Sequence, residues 1–141
     1  IQHELGKIGI SITIDVQQAA QQREMMRGYK LPAFRGSWIC DYPDGENYLA
    51  LFYSKNLQPN GSNYTHYVNK QYDKLFEKSQ TIINDSIRNN YYTRLDSMLM
   101  EDAPVMILYY DKVVRFVQAN IENINPNPIN MLDLRRTIIR K

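Results

Sequence analysis

Residues 36–56 read GSWICDYPDGENYLALFYSKN and hold the only Trp and the only Cys of the chain, Trp38 and Cys40. Phe34 to Tyr42 is a short apolar run that reads as a strand and must stop at Pro43, which has no N–H to donate to a ladder. Such a strand carries an aromatic ring, Trp38, and a carboxylate, Asp41, to its carboxyl end, where Pro43-Asp44-Gly45 turns the chain away. Asn47 to Tyr53 then reads as a short helix.

Upstream, residues 8–14 (IGISITI) place Ile at every second position, the period of a strand with one buried face. Asp15 precedes Gln18 by three, the spacing of a capping box, and Val16 to Arg27 reads as a helix stopped by Gly28. Strand, helix, strand makes a βαβ-type unit, in which sites favour the carboxyl ends of strands. Asp41 stands at such an end.

Downstream, residues 54–69 are polar and Asn-rich, with a turn at Pro59-Asn60-Gly61. Tyr72, Leu75, Phe76, Ser79, Ile82 and Ile83 keep a three-four spacing behind Asn69 as N-cap, which predicts a helix. Asp85 is the expected cap of a second, with Ile87, Tyr91, Leu95, Met98 and Leu99 on one stripe and an end near Ala103-Pro104. Val105 to Tyr110 and Lys112 to Val117 read as strands of a hairpin turning at Asp111. A Pro- and Asn-rich connection leads to a last strand near Leu132 to Ile139. No internal repeat or low-complexity segment interrupts this order.

A chain of 141 residues fits one ordinary domain. It begins Ile-Gln-His-Glu, without an initiator Met, a basic stretch or an apolar signal, so residue 1 reads as a processing boundary. The longest apolar runs fall far short of the roughly 20 residues of a membrane-spanning helix. Net charge is +2, from 17 basic and 15 acidic residues. Only Arg135, Arg136, Arg140 and Lys141 cluster, and with no basic helix or glycine-aromatic signature beside them they do not make a nucleic-acid surface. Cys40 alone closes no internal disulfide and builds no thiolate zinc site. Next to Ile39 it reads as a small half-buried residue.

His3 and His66 lie too far apart for a local metal spacing, so neither a metal nor another cofactor is expected. Asp41 and Asp44 fit a general acid and base by residue type, which leaves a hydrolase as an alternative. Two carboxylates three apart in a proline turn are more often turn formers, and no Ser-His or Cys-His pair accompanies them. Tyrosine is in excess, eleven against four Phe, with Tyr42, Tyr48, Tyr53, Tyr64 and Tyr67 crowded near the turn and the Asn-rich loop. About half of these fit a core with bonded hydroxyls; the rest suit a recognition surface.

Trp38-Ile39-Cys40-Asp41-Tyr42, then Asn60-Gly61-Ser62-Asn63, then Tyr67 to Leu75 (YVNKQYDKL), then Met98 to Pro104 (MLMEDAP) and Leu108-Tyr109-Tyr110 follow one another in a recognisable order. That series resembles the C-terminal portion of the extracellular solute-binding proteins of family 5, the dipeptide- and oligopeptide-binding proteins of ABC importers. The resemblance implies an α/β fold: a fragment of the C-terminal lobe of a two-lobed, type II-like periplasmic binding protein, a mixed sheet flanked by helices. Residues 1–125 would form part of the ligand-binding lobe, and 126–141 a segment returning toward an N-terminal lobe.

The resemblance further implies a substrate-binding component, not an enzyme, that captures peptides between its lobes and delivers them to membrane permease subunits. Its expected location is periplasmic or extracytoplasmic, anchored as a lipoprotein. Asp41 takes the position that neutralises the ligand's α-ammonium group, Trp38 packs beside the ligand, and Tyr42 and Tyr109 complete the ligand-binding set. Some oligopeptide binders carry a disulfide Cys directly after the Trp; here that position is Ile39, so the bridge does not carry over. The family also includes binders of nickel chelates, sugars and haem, so the cargo stays open between these and peptides. The last strand is expected to expose an edge that a second copy covers in a homodimer.

Overall fold

The computed structural model describes every residue except Asp111, Pro128 and Lys141. The chain forms two compact units, Ile1–Arg35 and Gly36–Lys141.

In the first unit, helix α1 (Gln2–Lys7) precedes helix α2 (Ala19–Arg27). The alternating isoleucines do not build the strand their spacing predicts, and the reason lies in Gly9. Gly9 has φ +82° and donates to Gly6 O at 3.1 Å, while Ile10 donates to Leu5 O at 3.0 Å. Together these close α1 with a left-handed glycine turn of the Schellman type. The start of the apparent strand is thus used to end a helix. The next residues join no ladder; Ile12 instead accepts from the Gln2 side-chain amide at 2.8 Å.

The cap of α2 also differs from the expected one. Asp15 accepts from the Gln17 side-chain amide at 2.6 Å, and α2 starts behind Gln18 with no side-chain cap. Its end is close to the predicted one. Gly28 is the C-cap, but Tyr29 carries the left-handed φ of 57° while Lys30 donates to Met25 O at 2.9 Å.

The second unit is organised by helices α3 (Glu46–Leu49), α4 (Lys70–Ser79) and α5 (Asp85–Asp102). The predicted short helix is α3 followed by a 3-10 turn at Ala50–Phe52. Asn69 caps α4 as expected, its Oδ1 accepting from Gln71 N at 2.9 Å and Tyr72 N at 3.2 Å. The cap of α5 is Asn84, which accepts from Ile87 N at 3.1 Å, so Asp85 is the first helical residue and not the cap. There its charge complements the helix dipole.

Leu49, Tyr72, Phe76, Leu95 and Leu99 form the buried core where α3, α4 and α5 meet, flanked by Phe52, Tyr53, Tyr67, Leu75, Tyr92 and Met98. The Tyr72 hydroxyl donates to Leu49 O at 2.8 Å inside this core, and burial raises its pKa. Asn63, fully buried, donates through its side chain to Tyr67 O at 3.0 Å and Tyr53 O at 3.2 Å. The loop before it requires glycine: a Cβ on Gly61 would lie 2.3 Å from Asn56 O.

The expected mixed sheet is smaller among the described residues. One antiparallel pair forms, β1 (Ile121–Glu122) with β2 (Ile138–Ile139), in the register Ile121↔Ile139 and Glu122↔Ile138. Arg140 pairs with Glu122 at 2.9 Å beside it. The last predicted strand therefore pairs only at its final two residues. The strands predicted at 34–42, 105–110 and 112–117 join no ladder among the described residues, and the turn residue Asp111 lies outside them. Alternation specifies which side chains share a face, but a strand also needs a hydrogen-bonding neighbour, which local sequence does not name. The apolar side chains of 105–117 are correspondingly exposed, up to 98% for Phe116.

Candidate ligand-binding site

The Trp-x-x-Asp stretch and its turn are held by groups at the start of α3. Asp44 N donates to Tyr42 O at 2.9 Å, and Asp44 Oδ1 accepts from Glu46 N at 2.9 Å. Gly45 packs so close to Tyr92 that an added Cβ would lie 3.2 Å from its ring. Arg88 on α5 donates to Asp44 Oδ2 at 3.1 Å and to Asp85 at 2.9 Å. Burial and a hydrogen bond to Asp44 raise the pKa of Tyr92. Asp44 is thus engaged by a backbone amide and a guanidinium.

Asp41 is placed differently. Asn47, only 6% exposed, accepts through Oδ1 from Trp38 Nε1 at 2.7 Å and from Asp41 N at 3.2 Å. Its Nδ2 faces Asp41 Oδ2 at 3.4 Å, a long and weak contact. Asp41 is exposed, and its Oδ1 makes no hydrogen bond or ion pair with the described residues. Trp38 keeps 36% of its surface exposed beside it.

Tyr42 is exposed, and its hydroxyl donates a short hydrogen bond to Glu46, which raises its pKa. Cys40 is a free, half-buried thiol, and its proximity together with burial raises the pKa of Tyr48. Tyr109 is 62% exposed in the stretch after α5, and none of the bonds that hold Trp38 and Asp41 together involves it. Of the five crowded tyrosines, Tyr53 and Tyr67 flank the core, Tyr64 is half-buried, and Tyr42 and Tyr48 are exposed.

Sequence reading missed Asn47. The available signal was a lone amide at the head of the apolar run Tyr48 to Tyr53, six residues after Asp41. Among the described residues no group of three or more His, Cys, Asp or Glu is arranged to hold a metal ion.

No family model matches the chain. Over 133 residues it is 23% identical to the dipeptide-binding protein DppE of Bacillus subtilis (strain 168), a match covering 92% of this chain and 24% of that protein. It is 24% identical over 102 residues to the periplasmic murein peptide-binding protein MppA of Escherichia coli (strain K12), covering 72% of this chain and 18% of that one. The solved unliganded open form of MppA matches with a TM-score of 0.78 and 22% identity, over 98% of this chain and 26% of that structure. The chain's homologues are family 5 solute-binding proteins.

The fold of these solute-binding proteins extends over this chain. The oligopeptide-binding protein AppA of Bacillus subtilis, solved with a nonapeptide, matches with a TM-score of 0.66 and 21% identity, over 99% of this chain and 28% of that structure. The chain spans about a quarter of the length of the solute-binding proteins it matches, 24% for DppE. These homologues are binding proteins rather than enzymes, and MppA is a periplasmic one.

Proposed function

We propose that this chain is part of the substrate-binding component of an ABC importer and that it holds the amino terminus of a peptide at Asp41. The observation that carries this reading is the Asp41 carboxylate, exposed beside Trp38 and met on one oxygen by only the long contact from Asn47 among the described residues. A buried peptide terminus carries a full charge whose desolvation costs several kcal/mol unless it is paired. A fixed carboxylate supplies that pairing, at about 1.5 to 3 kcal/mol per charge-assisted hydrogen bond. The names of the relatives, binders of dipeptides, oligopeptides and murein peptide, support peptide as the cargo.

In this reading Trp38 packs beside the extended ligand, and Tyr42 and Tyr109 add contacts as it is enclosed between two lobes. Residues 1–125 contribute to one lobe and 126–141 return toward the other. The full-length receptor is extracytoplasmic, anchored as a lipoprotein, and hands its cargo to permease subunits; the chain alone pairs with a second copy through its exposed apolar residues. It is not an enzyme: Asp44, the second carboxylate of the hydrolase alternative, already serves Glu46 N and Arg88. One relative, named as a probable deoxycholate-binding periplasmic protein, favours a non-peptide cargo as the second reading.

The test is calorimetry on the full-length receptor with Asp41→Asn, which keeps shape and removes charge. Affinity for peptides with a free amino terminus is expected to fall by about 1.5 to 3 kcal/mol, and N-acetylated peptides to change much less. Equal losses for both would sink the assignment.

A further inference from the structure

We propose that Asn47 is the positioning residue of this site: one amide that ties the Trp38 indole to the Asp41 backbone, sets its NH2 group toward the Asp41 carboxylate, and so sets the preference for a free over a blocked amino terminus. This rests on the reading of Asp41 given above.

The amide orientation is dictated by its neighbours. An indole Nε1 and a backbone N–H can only donate, and both converge on Oδ1, at 2.7 and 3.2 Å. Oδ1 is therefore the carbonyl oxygen, and the NH2 group must be the one facing Asp41 Oδ2. No other side chain of this size does both tasks. Asp offers acceptors but would set a second carboxylate against Asp41, Leu offers nothing, and Ser is too short to span both groups.

The amide is itself fixed. Asn47 N donates to Asp44 O at 3.2 Å at the start of α3, and Asp44 is tied to Arg88 of α5. With 6% exposure, the side chain has little room to turn away. Because Nδ2 occupies the Oδ2 side of Asp41, the Oδ1 side is left for a ligand.

The experiment uses the full-length receptor and two probes, a tripeptide and its N-acetylated form, with Asn47→Ala and Asn47→Asp. Calorimetry reads the affinity ratio of the two peptides. NMR reads the Trp38 indole N–H, assigned by its loss in Trp38→Phe. In Asn47→Ala the indole resonance is expected to move upfield, and the preference for the free peptide to shrink about tenfold. In Asn47→Asp, which keeps the acceptor, the indole resonance is expected to return downfield.

An indole resonance unmoved in Asn47→Ala overturns the proposal. So does an equal loss of affinity for both peptides, which a merely structural residue would give. If Asn47→Ala does not fold, an indole resonance shifted upfield in Asn47→Asp overturns it in the same way. A wild-type receptor that does not distinguish the two peptides overturns the assignment of Asp41 to the amino terminus, and the selectivity role with it, whatever the indole does.

Discussion

Arg88 reaches Asp44 across 44 residues of sequence, Nη2 to Oδ2 at 3.1 Å, and so fastens the turn after the Trp-x-x-Asp segment to the long helix α5. Both side chains are about three-quarters buried, at 27% and 30% exposure, so solvent screens the pair less than a surface ion pair. A double-mutant cycle with Asp44→Asn and Arg88→Met, followed by urea unfolding, is expected to return a coupling of about 0.5–1.5 kcal/mol. Additive losses would mean that the turn holds its shape without α5.

Tyr72→Phe removes only the oxygen that bonds Leu49 O in the core, leaving that carbonyl without its donor. The expected loss is about 1–2 kcal/mol, against about 2–5 kcal/mol for Leu95→Ala, which opens a cavity in the same cluster. Denaturant midpoints of the two variants check the order. A Tyr72→Phe loss as large as that of Leu95→Ala would contradict it.

Ala103 closes α5 with φ 48° and ψ 45°, a left-handed conformation that strains any residue with a Cβ. Ala103→Gly is therefore expected to raise stability by about 0.5 kcal/mol, with the relief of strain outweighing the greater freedom of the unfolded chain. Thermal melts that show destabilisation would mean that the methyl contributes packing.

Tyr67 donates to Asp102 at 2.6 Å, and Asn69 donates to the same oxygen at 2.9 Å. Burial and this bond push the Tyr67 pKa up to about 12, while the Tyr67 hydroxyl and then Asn69 lower that of Asp102. The signs differ. The Tyr67 contribution is complete below the ordinary tyrosine value near pH 10 and is lost as pH rises to about 12. That of Asp102 is present above about pH 4 and is lost as pH falls through its lowered value. Tyr67→Phe should flatten the alkaline limb of a stability profile and weaken the acid limb, and an unchanged alkaline limb would show that another group governs it.

The helices were legible because their signals are local. Asn69 stands beside the amides it caps, and Tyr72, Phe76 and Ser79 share a face by spacing alone. Helix starts slipped where two polar residues competed, as with Asp15 drawn to Gln17, or Asn84 taking the cap from its neighbour. Strands were the weaker part, because Ile8 to Ile14 carry the right alternation and Val105 to Val117 the right apolar runs, but neither says what lies alongside. Within the candidate site, Asp41 and Trp38 were singled out by their motif. Asn47 was not, since its role exists only once α3 folds back on the segment before it.

The buried core draws on residues 49 to 99 alone, with α4 and α5 joined by the short link 80–84, whereas the β1–β2 pair waits for Ile139. During synthesis the whole helical base emerges before β2 does, so the segment carrying Trp38 and Asp41 gains its anchors on α3 and α5 before the β1–β2 pairing is made. Pulse-labelled hydrogen exchange should find the α4 and α5 amides protected earlier than those of Ile121 and Ile139.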